Sequence, residues 1–196
     1  MNEIVFASHN QNKIDEIRAI LGPDFSLKGL TDIHCMEEIP EPFETLEENA
    51  LAKASHVAKN YGLDCFADDT GLEVDALGGM PGVYSARFAG PEKSSRDNMN
   101  KLLKELRHHQ NRKARFRTVV ALVMQGNHYF FEGIVNGEIA TSPRGSEGFG
   151  YDPVFIPRGY VHTFAEMSAD EKNSISHRKM AIEKLTGFLK EQSLSR

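Results

Sequence analysis

Four groups of residues in this 196-residue chain have the types and spacing to do chemistry. The first is Ser8-His9-Asn10-Gln11-Asn12-Lys13, six residues without an apolar side chain. Where such a loop opens a helix, the helix-start N–H groups attract anions, and Lys13 adds a full positive charge: a grip for phosphate. A duller duty for the segment is helix capping by Asn12. The loop has no glycine and no Gly-Lys-Ser/Thr, so it is not a P-loop. The second group is Asp68-Asp69, followed by Thr70-Gly71. Two carboxylates at a strand end suit Mg²⁺, which takes hard oxygen ligands and keeps several waters. Adjacent strand side chains face opposite ways, so one carboxylate faces a pocket while the other supports a turn. A solvated turn is the alternative. Upstream, Glu37-Glu38-Ile39-Pro40-Glu41-Pro42-Phe43-Glu44 offers further carboxylates on a loop stiffened by proline, or else a charged surface loop.

The third group is Gly148-Phe149-Gly150-Tyr151-Asp152-Pro153. Its glycines let backbone approach a ligand closely. Phe149 and Tyr151 offer flat faces, on which nucleobases stack for about 1–3 kcal/mol each, and Asp152 can accept hydrogen bonds from a base edge. A tight turn with core aromatics is the alternative. The fourth runs from Glu171-Lys172 to Ser176-His177-Arg178-Lys179. Ser176 reads as the cap of a final helix, which puts three basic residues in its first turn. Cations there oppose the helix dipole at about 0.3–1 kcal/mol each, so an anion is expected nearby. His108 and His109 end a helix, where cations suit the dipole; His34, His56, His128 and His162 share no metal spacing and receive no role.

These groups need elements to hold them. Glu3–Ala7 reads as a buried strand, and Ile14, Ile17, Ile20 and Leu21 recur at helical spacing after the polar loop. A helix is predicted over 45–61, with Leu46, Ala50, Ala54, Val57 and Ala58 on one side. Phe66-Ala67 is a short strand ending in the acidic pair. A second helix spans 95–109, capped at Ser94 with Asp97 and striped by Met99, Leu102, Leu103 and Leu106. Strands are predicted over 116–124 and 129–139 with a hairpin turn at Gly126-Asn127. A Gly-rich loop covers 141–150, a strand 154–156. Ser168 and Glu171 box a short helical turn, and the last helix turns Ala181, Ile182, Leu185, Phe188 and Leu189 inward. Alternating strands and helices with one antiparallel hairpin give an α/β fold with a mixed sheet.

Composition removes several classes. The length fits one domain, with room for a small lobe, and 40% hydrophobic residues supply a core. No apolar run nears the roughly 20 residues of a membrane span, and the start lacks the order of a signal peptide. A net charge of −5 argues against bulk binding to nucleic acid while leaving room for one nucleotide in a local positive pocket. Cys35 and Cys65 read as reduced buried thiols of a cytoplasmic protein.

In order along nearly the whole chain, these motifs resemble those of the inosine triphosphate pyrophosphatase family, also called XTP/dITP diphosphatases. Ser8–Lys13 is similar to the family's Thr/Ser-x-Asn-x-x-Lys loop. Thr45-Leu-Glu-Glu-Asn-Ala50 with Lys53-Ala54, Ala67-Asp-Asp-Thr-Gly-Leu72, Leu77-Gly-Gly-Met-Pro-Gly-Val-Tyr-Ser-Ala-Arg87, Gly148–Pro153 and Ser176-His-Arg178 complete the set. Ser8 and Thr70 replace the family's commoner threonine and serine and keep the hydroxyl. The resemblance implies one domain over 1–196, an elongated mixed sheet with helices, and two lobes with a cleft between them. It implies a Mg²⁺-dependent homodimer that cleaves ITP, dITP and XTP to monophosphate and pyrophosphate, clearing them from the nucleotide pool before they enter DNA or RNA.

For the residues, the resemblance implies that Asp69 is metal ligand and base, with Glu41 the second ligand and Glu44 its alternative because the 41–45 loop differs from many members. Lys13 and Lys172 neutralise phosphate oxygens, with the Ser8–Asn12 segment and Thr70 assisting. Phe149 stacks on the base, and Gly150, Tyr151, Asp152, His177 and Arg178 surround it. Selectivity then has a physical form: a donor aimed at the 6-keto oxygen of hypoxanthine or xanthine meets another donor in adenine, and such mismatches reject by about 10⁴ or more. A pyrophosphatase for other altered nucleotides, or a non-catalytic nucleotide-binding module, are the competing readings.

Overall fold

The computed structural model describes residues 2–194. In chain order its main elements are β1 (Asn2–Phe6), α1 (Gln11–Leu21), β2 (Phe25–Lys28), α2 (Leu46–Tyr61), β3 (Cys65–Val74) and β4 (Pro81–Gly82). Then come α3 (Ser95–Glu105), β5 (Lys113–Met124), β6 (Asn127–Ile139), β7 (Phe155–Pro157), α4 (Ala169–Ile175) and α5 (His177–Leu194). The strands form one sheet in the order β2-β1-β3-β5-β6-β7, with β4 on β3. β1 runs parallel to β2 and β3, whereas β4 on β3 and β7 on β6 are antiparallel. The α/β class and the mixed sheet are therefore as the sequence predicts.

Contacts divide the chain into two compact units. One holds, among the described residues, 2–69, Thr118–Gly133 and 178–194; the other holds Thr70–Arg117 and Ile134–His177. In the first, strand alternation sorts side chains into two layers. Ile4 and Phe6 of β1 and Phe66 of β3 join Ile14, Ile17 and Leu21 of α1 and Ala181, Ile182 and Leu185 of α5. Their neighbours Val5, Ala7, Cys65 and Ala67 pack with Ala54 and Val57 of α2, Leu30 and Cys35. The second unit packs Leu72 and Val74 of β3 with Leu102 of α3, Phe116 of β5, and Phe155 and Phe164. Each such side chain, fully buried, contributes about 1.5–3 kcal/mol.

Several boundaries differ from the sequence expectation. β3 does not stop at the acidic pair but runs on to Val74, so both carboxylates sit mid-strand rather than at a turn. β-branched and apolar residues, Thr70, Leu72 and Val74, continue it, and Leu72 and Glu73 pair with Gly82 and Pro81 of β4. β2 escapes periodicity because it is only four residues long. The hairpin turn is Gln125-Gly126, both at positive φ (52° and 80°), the signature of a type I′ turn. The 95–109 helix is α-helical only to Glu105 and tightens to a 3₁₀ turn over Leu106–His108.

Candidate active site

The layering of the first unit decides where its two aspartates go. Cys65 and Ala67 face α2, Phe66 faces α1 and α5, so Asp68 is turned to α1 and α5 and Asp69 to α2. The contacts follow. Asp68 Oδ1 accepts from Lys13 Nζ of α1 at 2.8 Å, and its Oδ2 accepts from Arg178 Nε of α5 at 3.2 Å. Arg178 also donates to Glu16 of α1. On the other face, Lys53 Nζ of α2 donates to Glu41 and lies 3.9 Å from Asp69 Oδ1. Asn49, one turn before Lys53, exchanges two hydrogen bonds with the backbone of Phe43 (3.0 and 3.1 Å), which pins the loop carrying Glu41. Glu44 is exposed.

Adjacent in sequence, the two aspartates differ in electrostatics. Burial works against ionising Asp68, but Lys13, Arg178 and Lys53 outweigh it and hold the carboxyl far below the usual range. For Asp69, burial dominates. The charges of Glu41 and Asp68 add to it, Lys53 and Lys13 oppose it, and the pKa is pushed up from 3.8 to about 6. Burial also disfavours ionised Glu41, yet Lys53 holds its pKa below normal. Burial would lower Lys53, but Asp69, Glu41 and Asp68 raise it. The Asp69–Glu41 side is thus short of positive charge. Two hard carboxylates in that condition fit a Mg²⁺-like ion, which binds through one or two carboxylates plus phosphate oxygens and water.

The phosphate-type loop is shorter than the sequence implies. α1 begins at Gln11, and Asn10 rather than Asn12 caps it by accepting from Lys13 N–H at 3.2 Å. The helix-start position matters more than the nature of the amide, and Asn10 is the last residue in extended backbone. Ser8 Oγ accepts from Asn10 N–H, and His9 Nε2 lies 3.0 Å from the Glu37 carbonyl. Gln11 donates to Asp15 at 2.7 Å. His9, Asn10, Gln11 and Asn12 are exposed, Ser8 and Lys13 half-buried.

The second unit holds the aromatic turn. Asp152 Oδ2 accepts from the Phe149 N–H at 2.8 Å and from Lys172 Nζ at 2.7 Å. Gly148 has φ 73°, and a Cβ there would lie 2.1 Å from that same oxygen, so glycine is required. Lys172 Nζ sits 4.8 Å from the Phe149 ring centre, a cation–π contact. Tyr151 is buried and its hydroxyl donates to the Ser85 carbonyl at 2.9 Å. His177 is buried against Phe116, ring centres 4.8 Å apart. Phe149, Gly150 and Thr70 are half-buried, the exposure a ligand-contacting surface needs.

The structure therefore brings Lys13, Glu41, Asp69 and Arg178 into one unit, and Thr70, Phe149, Gly150, Tyr151, Asp152, Lys172 and His177 into the other. The anion expected near the first turn of α5 is supplied for Arg178 by Asp68 and Glu16. Sequence reasoning missed two residues here. Lys53 carries a signal, since Asn49 and Lys53 share one face of α2 at i, i+4. Glu16 carries none: its partner is 162 positions away.

The model of the Ham1 family matches residues 4–188. A dITP/XTP pyrophosphatase of Flavobacterium johnsoniae is 52% identical over 187 residues, covering 95% of this chain and 97% of that protein. Among solved structures, a HAM1 protein from Coxiella burnetii superimposes with a TM-score of 0.90 at 39% identity, over 97% of this chain and all of that one. The Staphylococcus aureus Ham1 protein gives 0.89 at 41% identity with the same coverage.

Proposed function

The chain belongs to the Ham1 family, and from that premise we propose that it hydrolyses the deaminated purine nucleotides ITP, dITP and XTP to monophosphate and pyrophosphate. The observation that carries this reading is buried Asp69 with half-buried Glu41, short of positive charge and flanked by Lys53, with Lys13 of the same unit on Asp68. A site needing both a cation and phosphate contacts is what a triphosphate–metal complex satisfies.

Asp69 and Glu41 are assigned as the residues that hold Mg²⁺, which when bound neutralises charge on the triphosphate and its leaving group. Asp69 orients the attacking water and takes its proton. Lys13 and Lys53 contact phosphate oxygens, with Ser8, His9, Asn10, Gln11, Asn12 and Thr70 completing the grip; preset donors of this kind contribute about 3–4 kcal/mol each. Arg178 and Glu16 fix Asp68, and Asp68 fixes Lys13. Phe149 stacks on the base beside Gly150. Lys172 and Asp152 hold that ring's turn in shape, and Tyr151 and His177, buried in the same unit, are assigned to the base-binding set.

The setting assigned is the cytoplasm, with the nucleotide pool; the two free buried cysteines accord with it. No described helix is long and apolar enough to cross a membrane. A homodimer is assigned as well, supported by Met80 and Tyr84, which are 41% and 40% exposed despite their apolar bulk. The test of the reaction is product identity with ITP and Mg²⁺. Inosine monophosphate and pyrophosphate in equal amounts are expected; inosine diphosphate with inorganic phosphate would overturn the assignment.

A further inference from the structure

Away from the carboxylates assigned to catalysis, the first unit carries a second constellation whose chemistry is different. Cys35 Sγ, a Glu37 carboxylate oxygen and a His56 ring nitrogen all lie within 4.8 Å of one another. The sequence gives no hint of it, because Cys35 and Glu37 follow a 3₁₀ turn over Thr31–Ile33 while His56 comes from the middle of α2. The turn ends at His34 in left-handed backbone, and Cys35 N–H then bonds back to the Leu30 carbonyl, which drives the thiol into the core. Met36 points out, 76% exposed. Glu37 and His56 sit at the solvent side, joined at 2.8 Å from His56 Nε2 to Glu37 Oε1.

We propose that Cys35, Glu37 and His56 form a site for a borderline-soft divalent cation of the zinc type, separate from the Mg²⁺ ligands. The donor set is the argument. Thiolate and imidazole are ligands that Zn²⁺ and Co²⁺ accept and Mg²⁺ does not favour. A thiolate and a carboxylate carry two negative charges, which one divalent ion cancels. Zn–S and Zn–N bonds of about 2.3 and 2.0–2.1 Å separate ligand atoms in a tetrahedron by about 3.3–3.8 Å, so the observed cluster needs only side-chain adjustment. Binding releases the Cys35 thiol proton to solvent and takes His56 as the neutral imidazole bound through Nε2, its one ring proton on Nδ1 and any second proton released to solvent. Three protein ligands leave a fourth position for water.

Tyr61 packs against the cluster that buries Cys35, and the Asn60 amide nitrogen lies 3.3 Å from His56 Nδ1 and 3.2 Å from Nε2. The Glu37 carbonyl is the partner of His9, so an ion on Glu37 steadies the segment that leads into Lys13.

The probe is Co²⁺ added to the full-length protein in saturating Mg²⁺, followed by thiolate-to-metal absorption and then displaced by Zn²⁺. One equivalent with a thiolate band is expected, lost in Cys35→Ser and retained in Asp69→Asn. His56→Gln, a substitution at a partly exposed position, is expected to weaken binding by about tenfold or more, since even outer-partner losses cost that much. Absence of the band, its persistence in Cys35→Ser, or unchanged affinity in His56→Gln overturns the proposal. None of these readouts depends on hydrolysis, so failure here leaves the pyrophosphatase reading untouched.

Discussion

In the first unit, Asp68, Asp69, Glu16 and Glu41 meet Lys13, Lys53 and Arg178 on two faces of one strand. In the second, the buried ion pair Lys172–Asp152 holds a turn that presents an aromatic ring. The pair in the second unit uses its charges internally: Asp152 Oδ2 is shared by the Phe149 N–H and Lys172, and a glycine makes room for it. The first unit contains both conditions side by side. Asp68 is compensated and structural in character, whereas Asp69, one residue on, is buried faster than its cations repay. The surface proposed for the base and the charge-deficient centre proposed for the reaction thus call for different tests.

The largest effect is expected at the deficient carboxylate. Asp69→Asn should cut pyrophosphate release by about 10²–10⁴, the range for losing a positioned base, while the metal-free protein melts no lower than wild type. Next come the compensated charges. Arg178→Met leaves Asp68 and Glu16 buried without their shared partner and should cost about 3–5 kcal/mol of stability, read by denaturant titration. If Arg178→Met melted normally while Asp69→Asn unfolded, the contrast between the two aspartates would be wrong.

A pH series sharpens the same contrast. Asp69 has a folded pKa of about 6 against an ordinary 3.8, so the folded state holds its proton more tightly. Its contribution to stability is present below 3.8 and is lost as pH rises through about 6. Metal-free wild type should therefore lose stability relative to Asp69→Asn across that window, and saturating Mg²⁺ should remove the difference. Asp68, held low, works the other way: its contribution is present at neutral pH and is lost only in acid. The smallest change is expected in the second unit. Phe149→Ala should raise KM for ITP by about 5–100-fold through lost stacking, about 1–3 kcal/mol, with little change in melting temperature.

Much of this is legible in the sequence, and for local reasons. The period-two sorting of β3 puts Asp68 and Asp69 on opposite faces. Ser94 and Ser168 each accept from the residue three places on, capping α3 and α4 as their sequences promise. What was illegible depends on distance along the chain or on competition between equivalents. Nothing near Arg178 announces Glu16 or Asp68 as its partners. Asn10 and Asn12 are chemically the same cap, and only the helix start decides between them. The Cys35–Glu37–His56 cluster has no sequence spacing because tertiary packing assembles it.

The measurement that tests the central claim most directly is pyrophosphate release, in Mg²⁺, from ITP, dITP, XTP, GTP, ATP and dTTP compared at equal concentration. Rapid release from the first three and little from the others is the predicted pattern. Equal release from all six, or none from ITP, would contradict it.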